Sequence, residues 1–358
     1  MTTTPMTTDL AGDLADNSAG GPPALPSLAI VRPPTLDVLH ADLERAAAYK
    51  KAARAGATHR AYAADWQVYS AWCVSRGLRP MPAHPEQVAA FVSVEADLGR
   101  KPSTIVRRVA AIGHYHRAGH HGAPTAHPEA GGLRETLAGI RAEKKAPKDR
   151  KMAADASALR HMLAEIRGNG LRARRDRALL AIGMAAALRR SELVALTLGD
   201  VGILDAGLEI RIGSSKTDRQ GQGAVIAVPE GSRIRPKALL LDWMTAMGAL
   251  EERSERTPQE VAVTPLFRRL TRADAPTAEP MSDKAVARLV KACAAAAGYD
   301  ATRFSGHSLR AGFLTEAASQ GATIFKMQEV SRHKTVQILS DYVRAADRFR
   351  NHAGDRFL

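Results

Sequence analysis

Apolar side chains along this chain recur at helical spacing almost throughout and alternate strictly in one stretch only. That contrast limits the fold to packed helices with one small sheet. After a first segment from Leu36 to Ala53, Thr58 stands as an N-cap and Gly77 as the residue past a helix end. Between them Tyr62, Trp66, Tyr69 and Cys73 share a face. Pro85 suits the first turn of a third helix, which turns Val88, Phe91, Val92 and Leu98 inward and stops at Gly99. Ser103 or Thr104 caps a fourth, with Ile105, Val109, Ile112 and Tyr115 inward and Gly119 at its end. Leu133, Leu137 and Ile140 mark a fifth. Residues 35–140 therefore read as an all-α bundle. Aromatics are only 4% of the chain and Ala is abundant, which favours helices over a β-sandwich.

A basic run around a proline, residues 141–152, reads as a linker. Beyond it, Asp155 or Ser157 caps a helix carrying Leu159, Met162, Leu163 and Ile166. The next helical pair breaks near Ala187. Then the period changes. Leu208, Ile210 and Ile212 alternate with charged residues, and AVIAV follows a turn rich in Gly, Gln, Asp and Ser, which is a β-hairpin. Pro236 to Met247 returns to helix, Glu251 to Pro280 reads as a charged loop, and Ser282 caps a helix running to Gly298. A short helix from Thr335 to Leu339 follows. Residues 153–345 are thus mainly α with a small antiparallel β-sheet, an α+β domain, followed by a tail helix at 346–358. Residues 1–34, rich in Thr, Ala, Gly and Pro, bury too little apolar surface to order, and a disordered tail is expected.

The formal net charge of +14 attracts polyanions, most simply nucleic acid. Lys101, Ser103, Thr104, Arg107 and Arg108 gather at one helix start, and Thr58, His59 and Arg60 at another. Backbone N–H groups, hydroxyls and guanidinium groups there suit DNA phosphates; a capped helix with a solvated basic face is the alternative. His114, His116, His120 and His121 lack Asp, Glu or Cys at ligand spacing, so no metal site is expected. Cys73 and Cys293 make neither a disulfide framework nor a zinc site. The N-terminus lacks a signal-peptide pattern and no apolar run spans a membrane, so a soluble cytoplasmic protein is expected, with no membrane partner.

Arg189 stands at a helix break with Glu192 three residues on, placed to orient its fork toward a phosphate. An ordinary helix end with a local ion pair gives the same pattern. Lys216 lies on the hairpin turn; no Gly precedes it as in a phosphate-binding loop, but it is placed to reach a leaving oxygen. His307 and Arg310 share a helix face, and His333 and Tyr342 follow. The set holds a phenol with cations and imidazoles able to surround a phosphate.

In that order, ALRRSEL, a hairpin Lys, His-x-x-Arg, a His, and a Tyr nine residues later resemble the tyrosine recombinases, the phage-integrase or Cre-like family. THRAYAADWQVYSAWC and KPSTIVRRVAAI likewise resemble that family's core-binding, SAM-like domain. One departure is Arg332, where the wider family often has Gly. The resemblance implies a two-domain clamp on double-stranded DNA at a specific site, working as a tetramer. It implies that Tyr342 attacks a phosphate to give a 3′-phosphotyrosine, with His307 as base and Lys216 as acid. Arg189, Arg310 and His333 would hold the non-bridging oxygens, and no metal, ATP or other cofactor is needed. A non-catalytic DNA-binding protein on this scaffold and a type IB-like topoisomerase are the competing readings.

Overall fold

The computed structural model describes residues 36–52, 56–144, 151–213, 223–249, 253, 255–348 and 354. The expected N-terminal tail, most of the linker's centre, Lys216 and most of the C-terminal tail lie outside the described residues. The chain divides into two compact units, Met1–Ile140 and Arg141–Leu358. Among the described residues no helix is long and apolar enough to cross a membrane.

The first unit is helical: α1 (Leu36–Ala52), α2 (Gly56–Val74), α3 (Pro85–Asp97), α4 (Pro102–Ala118) and α5 (Gly131–Glu143). Tyr69, Phe91, Val92, Ile105, Ile112 and Leu133 form its core. Two caps differ from expectation. α2 starts at Gly56, so Thr58 lies inside it. α4 is capped at Lys101 with Pro102 in its first turn, because proline's fixed φ sets the start ahead of Ser103 and Thr104. Leu98, expected inward, ends α3 and is 63% exposed.

The second unit begins with α6 (Ala156–Ala164), capped by the Asp155 carboxylate, which accepts from the Ala158 N–H. α7 (Leu171–Ala185) and α8 (Arg190–Ala195) are separated at Ala187, whose φ of 47° stops the helix. Strands β1 (Val201–Leu204), β2 (Gly207–Ile212) and β3 (Ala224–Pro229) make an antiparallel sheet in the order β1-β2-β3. The expected hairpin is β2–β3, with Leu208 opposite Val228 and Ile210 opposite Ile226, all four buried against the helices. Strand β1 adds an edge that the pattern did not reveal.

α9 (Pro236–Ala246) packs on α7 and buries Trp243, whose indole N–H donates to the Leu266 carbonyl at 3.0 Å. The stretch expected to be a charged loop instead holds α10 (Pro258–Val263) and a second hairpin, β4 (Arg268–Leu270) with β5 (Pro276–Pro280). β5 has a proline at each end and little burial, so nothing in its sequence alternates. α11 (Asp283–Ala296) is capped by Ser282 as expected. The last helices are α12 (Ser308–Ser319), α13 (Ile324–Ser331) and α14 (Val336–Ala346). α14 runs well past Leu339, which puts Tyr342 on a helix.

Candidate active site

The site is assembled in the second unit from four helix ends and one helix face. Arg189 is the N-cap of α8. Its backbone N–H donates to Glu192 Oε2 at 2.9 Å and its Nη1 to Glu192 Oε1 at 2.6 Å. The arginine is thus fixed at both ends by one carboxylate. Burial opposes the charge on Glu192. The Arg189 N–H, the Arg332 charge and the Arg189 guanidinium nevertheless hold its pKa below the usual carboxylate range.

Arg310 lies one turn into α12 and is only 6% exposed. Its Nη1 donates to the Ala187 carbonyl at 2.6 Å, and its Nη2 to the Ser331 carbonyl. The helix break at Ala187 therefore supplies an anchor for the site. Burial first, then the charges of Arg189 and Arg332, push the Arg310 pKa down to about 9. A cation so poorly solvated gains much from an incoming anion. The same Nη2 lies 3.3 Å from Nδ1 and 3.5 Å from Nε2 of His333. His333 is also held by the Ser331 hydroxyl, 2.8 Å from Nδ1. Burial, then Arg310, Arg189 and Arg332, push His333 down to about 4, so it is neutral at pH 7.

His307 is the N-cap of α12, and its N–H donates to Ser305 Oγ at 3.2 Å. Partial burial, then Arg190, Arg310 and Arg189, lower its pKa from the ordinary histidine value, so it too is neutral and able to take a proton. α12 lies close to the segment before α6. A Cβ on Gly312 would meet the Ala154 carbonyl at 1.8 Å, so only glycine permits that approach. The Ala154 N–H donates to Ser308 O at 2.9 Å, which fixes one wall of an open cavity of about 570 Å³. His307 and Tyr342 both line that cavity, with Lys151, Ser305, Thr315 and Ile338. Tyr342 is half-buried and packs against the small cluster of Leu314, Ala318, Met327 and Leu339.

Arg189 thus pairs with Glu192, Arg310 lies beside His333, and His307 and Tyr342 line one cavity, while Lys216 lies outside the described residues. Arg190, the neighbour of Arg189, pairs with Asp283 at 3.4 Å. Two neighbours were not foreseen. Ser331 braces His333, and Arg332 donates to Glu192 Oε2 at 2.7 Å. A lone Ser or Arg beside a His carries no sequence signal; only the missing glycine at 332 hinted at something particular.

In the first unit, Lys101, Ser103 and Arg60 are on the surface, and Thr58, His59 and Thr104 are half-buried. Arg107 is partly exposed and binds Asp65 with two bonds, 2.7 and 3.0 Å. Arg108 corrects the expectation. It is 9% exposed and pairs with Glu95 and Asp65, so it is a core cation and not a phosphate contact. In the histidine run, His116 is fully buried with both ring nitrogens bonded to backbone, at Ile112 O (2.8 Å) and Ala83 N (2.9 Å). Neither nitrogen is left for a metal. The one ligand-like group among the described residues is His84, His127 and Glu129. There each Nδ1 accepts from a backbone N–H, of Glu86 and Glu129 respectively. A metal on Nε2 would require Nδ1 to be protonated and would break both bonds.

Residues 154–348 match the phage integrase family profile. An integrase/recombinase xerD homolog from Selenomonas ruminantium is 32% identical over 306 residues, 85% of this chain and 86% of that protein. The chain belongs to the phage integrase family. Two solved structures share the fold. A XerH site-specific recombinase bound to palindromic difH substrate has a TM-score of 0.53 at 14% identity, covering 75% of this chain and 70% of that one. A lambda integrase dimer bound to a COC′ core site has 0.52 at 18% identity, covering 87% and 97%.

Proposed function

We propose that the chain cleaves and rejoins double-stranded DNA at a specific site through Tyr342. The Tyr342 hydroxyl attacks a scissile phosphorus in line, and its proton passes to His307. The P–O bond to the 5′ oxygen breaks, leaving a 3′-phosphotyrosyl ester, and Lys216 protonates the departing oxygen. Arg189 and Arg310 meet the non-bridging oxygens, where negative charge concentrates in the transition state, and His333 donates beside them. The ester keeps about the free energy of the bond it replaces, so a different 5′ hydroxyl reverses the step without ATP. Guanidinium groups supply the charge that a metal gives many nucleases, so no metal enters the scheme.

The observation that carries this reading is the cavity shared by His307 and Tyr342, with His307 at the start of the helix that carries the buried Arg310. In the same reading the first unit holds the duplex with Lys101, Ser103, Thr104, Arg107 and, at the start of α2, Thr58, His59 and Arg60. The linker at 141–152 crosses the DNA to the catalytic domain at 153–345. Four protomers assemble on paired sites, with the tail at 346–358 reaching a neighbour. The protein works in the cytoplasm, on the nucleoid. The test is sequencing of DNA ends covalently bound to the purified protein, followed by a nicked duplex of the recovered sequence. Wild type forms a protein–DNA adduct; Tyr342→Phe binds and forms none. Site-independent relaxation of supercoiled DNA would favour a topoisomerase instead.

A further inference from the structure

Arg332 has a backbone suited to another residue. It ends α13 with φ 56° and ψ 39°, the left-handed region where glycine rests without strain. Yet the position holds an arginine, and its side chain is not in solvent. The guanidinium is 11% exposed, donates to Glu192 Oε2 at 2.7 Å and to the Val330 carbonyl at 2.9 Å.

Glu192 therefore lies between two arginines. Oε1 accepts from Arg189 Nη1, while Oε2 accepts from the Arg189 backbone N–H and from Arg332. The carboxylate is itself 8% exposed, so its charge is little screened. Left with one partner, it would satisfy itself on Arg189 alone. Such a pair is close to neutral and competes with a phosphate for the same N–H groups. With Arg332 beside it, the carboxylate is already balanced, and Arg189 keeps both its orientation and a net positive charge toward an anion.

We propose that Arg332 is a positioning residue for strand cleavage: it shares Glu192 so that Arg189 is held in place without being neutralised. Arg332 does not touch the DNA. The inference rests on the role given to Arg189 above.

Arg332→Gly tests it, because glycine accepts the left-handed turn, so the backbone is kept while the guanidinium and its stem are lost. The probe is a nicked duplex of the sequence recovered from protein-linked ends, with protein in excess. In Arg332→Gly, adduct formation slows by roughly tenfold or more while the dissociation constant for the duplex stays within about twofold. Arg332→Lys recovers most of the rate, since an ammonium still balances the carboxylate. Glu192→Gln added to Arg332→Gly costs less than the product of the two single losses, as expected of groups acting through one contact. Three results would overturn the proposal: an unchanged rate in Arg332→Gly, multiplying losses, or a fall in thermal stability and binding with the bound complex reacting normally. If wild type forms no adduct on its own recovered sequence, the proposed function fails and this inference fails with it.

Discussion

Arg310→Ala tests the site where its charge is most deeply held. The substitution removes the donor to two carbonyls, Ala187 and Ser331, and the cation beside His333. Losing one preorganised donor on a transition-state oxyanion costs about 3 kcal/mol, or roughly a hundredfold in rate. Stability should suffer less. Each orphaned carbonyl costs about 1–3 kcal/mol. Against this, the fold no longer buries a cation whose pKa has been pushed down to about 9. We expect a melting temperature lower by a few degrees and a unit still folded at assay temperature. The assay is the rate of covalent adduct on a nicked site, read on a denaturing gel with protein in excess, with binding measured separately. A rate within about tenfold of wild type, with binding intact, would refute the assignment of Arg310 to the transition state.

Other outcomes follow from the same geometry. Arg108→Ala should destabilise the first unit by about 3 kcal/mol in thermal melts, because it leaves the buried Glu95 without its hydrogen-bonded cation, while Asp65 keeps Arg107. At a permissive temperature its DNA affinity should match wild type, and a large specific loss of affinity would restore it as a DNA contact. Since the His307 pKa is lowered, the imidazole stays neutral as pH falls to about 6.5, and cleavage at subsaturating DNA should decline only below that value. An acid limb centred above pH 7 would exclude His307 as the base. EDTA should leave cleavage unchanged; inhibition reversed by magnesium would point to a metal nuclease.

Much of the site was legible because its residues stand at chain punctuation. Arg189 was found at a helix break with Glu192 three residues on, and both the break and the pair are present. His307 and Arg310 start one helix, and their spacing alone announced it. The β2–β3 hairpin was readable from strict alternation, whereas β1, β4 and β5 are too short or too exposed to alternate. Arg108 is a core residue whose position the helical pattern does carry. It lies three residues after Ile105 and four before Ile112, both buried, so helical spacing puts it on the apolar face. Its partners Asp65 and Glu95 come from α2 and α3, and no local pattern announces a pairing across helices. Arg332 stands out in the sequence only as a departure from glycine, since its meaning depends on a φ value and a carboxylate 140 residues away.

The central claim is most directly tested by locating the covalent bond. After trapping on the nicked duplex, nuclease and protease digestion should leave one peptide carrying a 3′-linked nucleotide. The account predicts that mass spectrometry places that nucleotide on the Tyr342 phenol. A nucleotide on any other side chain, or an adduct that persists in Tyr342→Phe, would contradict it.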